Sequence, residues 1–168
     1  SSSDSFFPTS FNHSTSTSYS VLSLLCSLLS SIVLQCVLEY YWHRLQHTSA
    51  FYSRFHKFHH YYKSPTPFDD MFIHPLEAVG YYFILYCPAF LVPNSLLSFG
   101  LYMSIMGSCG VLDHSGIEIT VKPFSFLSGY PILDWFSSWV VYRTADHDHH
   151  HQFFNCNYSF PFPQMDYL

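Results

Sequence analysis

Twelve of the 168 residues are histidine, twice the number of lysines and arginines together. Their spacing is not random. His43 and His47 lie four apart, His56, His59 and His60 form H-x-x-H-H, and His147, His150 and His151 form it again. Residues three and four apart share a helix face, so each set is predicted to project its imidazoles from one stripe. His74 and His114 stand singly, in His74-Pro75-Leu76-Glu77 and Asp113-His114-Ser115-Gly116. That makes ten candidate ligands, enough for two metal ions with about five nitrogens each. Neutral imidazole suits iron, zinc, copper and nickel alike. The absence of H-E-x-x-H argues against a zinc protease, and scarce carboxylates argue against a ferritin-type site. What remains is an all-histidine dinuclear site at a membrane surface. His13 reads as an exposed residue. His149 falls ~100° off its matched neighbours and is left out. An appended tag does not explain His149 to His151, because Asp148 breaks the run and Gln152-Phe153-Phe154-Asn155 continues it.

The elements that must carry these side chains are apolar. Hydrophobic residues make up 49% of the chain and aromatics 21%, while charged residues reach only 10%, against ~25% in soluble domains. Disorder is excluded by that aromatic load, and a net charge of -5 argues against nucleic acid as a partner. Residues 1–18 read as a Ser/Thr-rich leader, and 19–168 as one membrane-embedded domain. Tyr19 to Leu38 is free of charge and long enough to span ~30 Å of hydrocarbon. A signal peptide is the competing reading, disfavoured by the lack of a basic n-region. A second apolar block, Ala78 to Leu112, is interrupted by Pro88, Pro93 and Asn94, which break a continuous helix. Its halves, about 78–92 and 95–112, are each short of a full span, so a helical hairpin returning to its side of entry is expected. Phe124 to Tyr142 reads as an interfacial helix. The five cysteines contain no C-x-x-C and read as small buried hydrophobes.

All six basic residues lie in the two histidine-bearing segments, 39–77 and 113–168. The positive-inside rule places those segments in the cytosol and the leader opposite. The expected fold is therefore all-α, with integral membrane helices and a cytosolic helical cap carrying a histidine-rich dinuclear metal site.

The order of the histidine boxes resembles the fatty acid hydroxylase superfamily, which includes the sterol desaturases. Phe55-His56-Lys57-Phe58-His59-His60, His74-Pro75-Leu76-Glu77, Asp113-His114-Ser115-Gly116 and the tail His150-His151-Gln152-Phe153-Phe154-Asn155-Cys156-Asn157-Tyr158 are similar to its 4-methylsterol oxidase and cholesterol 25-hydroxylase branch. The resemblance covers residues 36–168. It implies an O2-dependent di-iron lipid hydroxylase or oxidase of the endoplasmic reticulum membrane, multi-pass, acting on a sterol or fatty acyl C–H bond. The metal ligands it implies are His43, His47, His56, His59, His60, His74, His114, His147, His150 and His151, holding two iron ions. Glu77, Asp113, Asp146 and Asp148 are the expected partners of the ligating rings. Electrons are expected from NAD(P)H through a separate reductase or cytochrome b-type carrier, since no nucleotide-binding glycine motif is present. The chain stops at Asp166-Tyr167-Leu168, ahead of the family's usual ending, so truncation of the C-terminus is expected. An acyl or sterol desaturase with the same metal site is the alternative. A non-catalytic metal-binding or transport protein fits less well, because the histidines lie outside the apolar blocks.

Overall fold

The computed structural model describes residues 20–117 and 144–168, all helix, turn and loop with no strand. The leader and the expected interfacial helix at 124–142 lie outside the described residues. The first helix, α1 (Val21–Gln46), starts at the Ser20 N-cap, whose hydroxyl accepts the Ser23 N–H. It runs eight residues beyond the predicted end of the span at Leu38. His43 is thus held on the same helix as the apolar run, while His47 sits at the C-cap, just outside the helix.

Helix α2 (Pro75–Tyr86) begins with Pro75 in the first turn, where its missing N–H costs nothing. Pro88 ends it: a single further turn, Pro88–Leu91, precedes the reversal at Val92 to Ser95. Helix α3 (Leu96–Asp113) returns, opened by a reciprocal capping box between Ser95 and Ser98. Asn94 holds the bend by donating to the carbonyls of Pro88 (2.9 Å) and Val92 (3.3 Å), and Ser27 ties it to α1 through the Pro93 carbonyl (2.6 Å). The start of α2 and the end of α3 consequently lie at the same end of the bundle as His43.

Burial runs opposite to that of a water-soluble domain. Leu29 and Val33 of α1 are 60% and 61% exposed, whereas Ser31, Gln35 and Ser98 are fully buried. Apolar side chains point outward and polar ones pair inside, as a hydrocarbon solvent requires. Along α1 the inward positions Ser27, Ser31, Gln35, Glu39 and His43 recur every four residues, one stripe of the helix. The Tyr102 hydroxyl bonds the Leu85 carbonyl (2.9 Å) and lies 3.2 Å from Gln35 Oε1, and Gln35 Nε2 donates to Glu39 (2.9 Å). Leu85, Tyr102 and Met106 form the small apolar core beside this column. Both α1 and α3 are long and apolar enough to cross a membrane; Pro75–Leu91 is shorter.

Candidate metal centre

Three helix ends and two short segments meet where the histidines gather. After α1 the chain makes a turn at Ser49–Phe51, a wide π-type turn at Tyr52–His56 and a tight 3-10 turn at His59–Tyr61. Helix α4 (Thr144–Phe153) is anchored to the end of α3, with the Thr144 hydroxyl 3.1 Å from the Ile117 carbonyl and 3.4 Å from that of Leu112. Beyond α4 the left-handed residues Phe154 and Asn157 turn the chain back, and Asp166 clamps the amides of Tyr158 (2.8 Å) and Ser159 (2.9 Å).

Nine of the ten candidate ligands converge in two groups. His43, His47, His56, His60 and His150 form one, and His59, His114, His147 and His151 the other, with ligand atoms in each within 4.8 Å of one another. The boxes do not act as single stripes. In each H-x-x-H-H, the residues four apart join one group and the middle histidine turns to the other. The first box departs from straight helix to do this, whereas α4 does it by the ~100° rotation between adjacent residues. The groups abut, with the His60 and His151 rings 4.5 Å apart.

His74 belongs to neither group. It is the N-cap of α2, its Nδ1 accepting the Leu76 N–H at 3.2 Å, so this lone pair is committed to the backbone. His149 is exposed on α4, its ring against Phe153.

The proton positions show what the groups can bind. A carbonyl oxygen only accepts, so a ring nitrogen bonded to one must carry the proton. That fixes Nδ1–H on His43 (to Tyr158 O, 3.0 Å), His150 (to Cys156 O, 2.6 Å), His151 (to Tyr62 O, 3.1 Å) and His114 (to Gly110 O, 3.0 Å). His56 Nδ1 donates to Glu77 Oε1. In these rings Nε2 is left as a bare lone pair. Yet Nε2 atoms face one another at 3.1 Å between His47 and His150, His60 and His47, His60 and His56, His60 and His150, and His147 and His114. His151 and His147 approach to 3.0 Å. Of these rings only His47, His60 and His147 are free to carry an Nε2 proton, and three protons are too few for all six contacts to be hydrogen bonds. Nitrogens held at ~2.1 Å from one first-row ion, at right angles to each other, would stand ~3.0 Å apart. The buried Nδ1 atoms of His59 and His60 also have no hydrogen-bond partner. The donor set fits a cation in each group.

Burial depresses the basicity of the surrounding rings. It holds His59, His60 and His147 far below the usual imidazole value, and neighbouring imidazoles add to the effect. His150 and His151 fall to about 3, chiefly through burial, with their bonds to carbonyls partly opposing the shift. All are therefore neutral at pH 7, the form that binds metal.

Of the expected ring partners, Glu77 bonds His56, and Asp113 faces His147 Nδ1 at 3.8 Å. Asp146 contributes its backbone carbonyl to Asn157 (2.9 Å), and Asp148 sits half-buried on α4. Asp70, not singled out from the sequence, lies 3.5 Å from His114 Nδ1 and packs on Gly110, where an added Cβ would come within 2.9 Å of its carboxylate. The carbonyls of Tyr62, Gly110, Cys156 and Tyr158 were equally illegible, since every residue has one. A cavity of about 70 Å³ opens onto both groups, lined by His43, His56, His59, His114 and His147 together with Glu39, Trp42, Tyr81 and Phe160.

An all-helical bundle of membrane type, with paired histidine groups suited to metal at one end, is the class of protein these features define. The sequence model of the fatty acid hydroxylase family matches residues 28–168, and the chain belongs to that family. It is 31% identical over 136 residues to methylsterol monooxygenase 2-1 of Arabidopsis thaliana, covering 77% of this chain and 49% of that protein. To the very-long-chain aldehyde decarbonylase GL1-7 of Oryza sativa subsp. japonica it is 30% identical over 135 residues, 77% of this chain and 20% of that protein. To protein CER1-like 2 of Arabidopsis thaliana it is 32% identical over 135 residues, again 77% of this chain and 21% of that protein. The chain thus spans about half the length of the matched methylsterol monooxygenase and about a fifth of the other two. No solved structure matches it.

Proposed function

We propose that the protein is an O2-dependent di-iron oxidase that acts on a C–H bond of a sterol or fatty acyl lipid. The observation that carries this reading is the convergence of two all-histidine groups, lone pairs inward, on one cavity at the end of an apolar bundle. One ion would be held by His43, His47, His56, His60 and His150, the other by His59, His114, His147 and His151. Iron, when bound, supplies the redox chemistry that activates O2 against an unactivated C–H bond. The chain's own residues prepare the site. Carbonyls of Tyr158, Cys156, Tyr62 and Gly110 keep four rings in the Nδ1–H tautomer, and Glu77 does the same for His56. Trp42, Tyr81 and Phe160 give the cavity apolar surface that suits a lipid and excludes water.

Electrons come from NAD(P)H through a separate reductase or cytochrome b-type carrier. The family resemblance supports an endoplasmic reticulum location, and the basic residues support a cytosolic histidine face. The test is turnover of purified, iron-loaded protein with a methylsterol or fatty acyl lipid, an electron source and 18O2. Label in the product alcohol is the expected result. An unlabelled alkene product would transfer the reading to a desaturase. Absence of lipid-dependent O2 consumption with both groups loaded would overturn it.

A further inference from the structure

Between the first H-x-x-H-H box and α2, residues 66–73 form a turn whose two sides differ in character. On the inner side the Asp70 carboxylate lies 3.5 Å from His114 Nδ1 and packs on Gly110 of α3, and Ile73 lines the cavity. On the outer side Phe68, Met71 and Phe72 are 93%, 48% and 42% exposed. The turn pairs its backbone donors within itself. The N–H of Asp69 bonds the Thr66 carbonyl (2.8 Å), that of Phe72 the Asp69 carbonyl (2.9 Å) and that of Ile73 the Met71 carbonyl (2.9 Å). Asp69 Oδ2 accepts both the N–H and the hydroxyl of Thr66 (2.7 and 2.9 Å), and Pro65 and Pro67 have no N–H to satisfy. Large apolar side chains on a turn that pairs its own donors suit a medium that offers few hydrogen bonds. The turn also abuts α2, where the Tyr82 hydroxyl lies 4.0 Å from Met71 Sδ. Tyr82 shares one outward face of that helix with Val79, Phe83 and Tyr86, all exposed. The apolar patch on the turn is therefore continuous with the apolar outer surface of the bundle.

We infer that residues 66–72 dip into the headgroup–acyl boundary of the bilayer, with Phe68, Met71 and Phe72 as the inserted side chains. Lipid is the occupant because the patch prolongs the outward face of α2, and that face belongs to a bundle with its apolar residues outside and its polar ones within. Charge limits the depth. Arg54, Lys57 and Lys63, in the segment leading to the turn, are all exposed and have to stay among water and headgroup phosphates. Insertion therefore stops ~5–10 Å below the surface, the depth of an interfacial element. Tyr61 and Tyr62, both exposed, hold their rings against Phe72 and have the amphipathic form that favours this level. The turn thereby fastens to the membrane surface the stretch of chain that carries Asp70 and Ile73. This contact lies outside the two long apolar helices, and it is independent of the chemistry at the histidines.

The experiment uses the full chain in phosphatidylcholine nanodiscs. Phe68→Cys and, separately, Phe83→Cys are made with the five native cysteines replaced by alanine, and each is labelled with the fluorophore NBD. Phospholipids carrying a nitroxide near the acyl carbonyl or near the methyl end then act as shallow and deep quenchers. The label at 68 should lose most of its emission to the shallow nitroxide and clearly less to the deep one. The label at 83, further along α2 and on its outward face, should be quenched by the deep nitroxide more strongly than the label at 68. An unquenched label at 68 would overturn the inference, and so would stronger quenching there by the deep nitroxide. An unquenched label at 83 would remove the lipid-facing surface that the turn continues, with the same result. A second measurement avoids replacing the cysteines: Phe68→p-benzoylphenylalanine in the otherwise native chain is irradiated in the same nanodiscs. Mass spectrometry should find a phospholipid adduct on the peptide containing position 68. A cross-link to another segment of the chain or to a second copy, or no adduct other than with water, would overturn the proposal. The oxidase reading is judged by 18O incorporation and stands or falls separately.

Discussion

Adjacent histidines that fall in different groups make a demand, if each group holds an ion, that no single-site arrangement makes. His59 and His151 belong to one group, whereas His150 belongs to the other. The double variant His59→Ala/His151→Ala therefore strips two donors from a group of four and leaves the group of five intact. The double variant His59→Ala/His150→Ala removes one donor from each. Four-ligand structural zinc sites bind with ~10–16 kcal/mol, or ~3 kcal/mol per donor, so each lost imidazole should weaken its ion about a hundredfold. Two losses in one group then weaken that ion by about ten-thousandfold, enough to empty it. The assay is elemental analysis of purified protein after equilibration with ferrous iron, repeated against chelators of graded strength. Wild type should hold two ions. The same-group variant should hold one ion that resists chelation as in wild type, and the cross-group variant should hold two, both more easily removed. Equal metal content and equal chelator sensitivity in the two variants would refute the partition.

Three further outcomes follow from the same geometry. His74→Ala should leave metal content unchanged while lowering stability by about 1 kcal/mol through loss of the α2 cap, and His149→Ala should change neither; metal analysis and thermal unfolding of both variants check this. Gly80→Ala should destabilise the protein by about 1–3 kcal/mol through overpacking, because the new Cβ would overlap the Trp42 ring, and pairing it with Trp42→Phe should restore the melting temperature. Metal-free protein should lose stability on acidification, since His150 and His151 bind protons near pH 3 when folded but near pH 6.5 when unfolded. The contribution is complete above about pH 6.5 and is lost towards pH 3; a melting temperature higher at pH 5 than at pH 7.5 would contradict it.

Much of this architecture was legible in the chain because it depends on local rules. A charge-free run of about twenty residues must pair its own backbone in hydrocarbon, so α1 was readable as a helix from composition alone. Pro88, Pro93 and Asn94 forbade a continuous second helix, and a hairpin followed that brings residues 74 and 114 to one end. Four-residue spacing put His43 beside His47, and His147 beside His151, whatever the rest of the fold does. The inward stripe of α1, by contrast, was hidden within its hydropathy: Ser27, Ser31, Gln35 and Glu39 only acquire meaning opposite Asn94, Ser98 and Tyr102.

The allocation of ligands was decided by tertiary structure. Spacing says which imidazoles share a face, but not which way a wide turn at 52–56 aims His56 and His59, so one stripe became two groups. The sequence offered His74 as a ligand, and its role as a cap appeared only once α2 began at Pro75 and the Leu76 N–H needed an acceptor. Tautomers were set by backbone carbonyls far along the chain, such as Tyr158 for His43, and a carbonyl leaves no mark in a sequence. Asp70 became visible only when Gly110 and His114 at the end of α3 packed against it. The residue types were therefore sufficient to announce histidine groups suited to metal, whereas their division into two groups required the three-dimensional contacts that fix where each lone pair points.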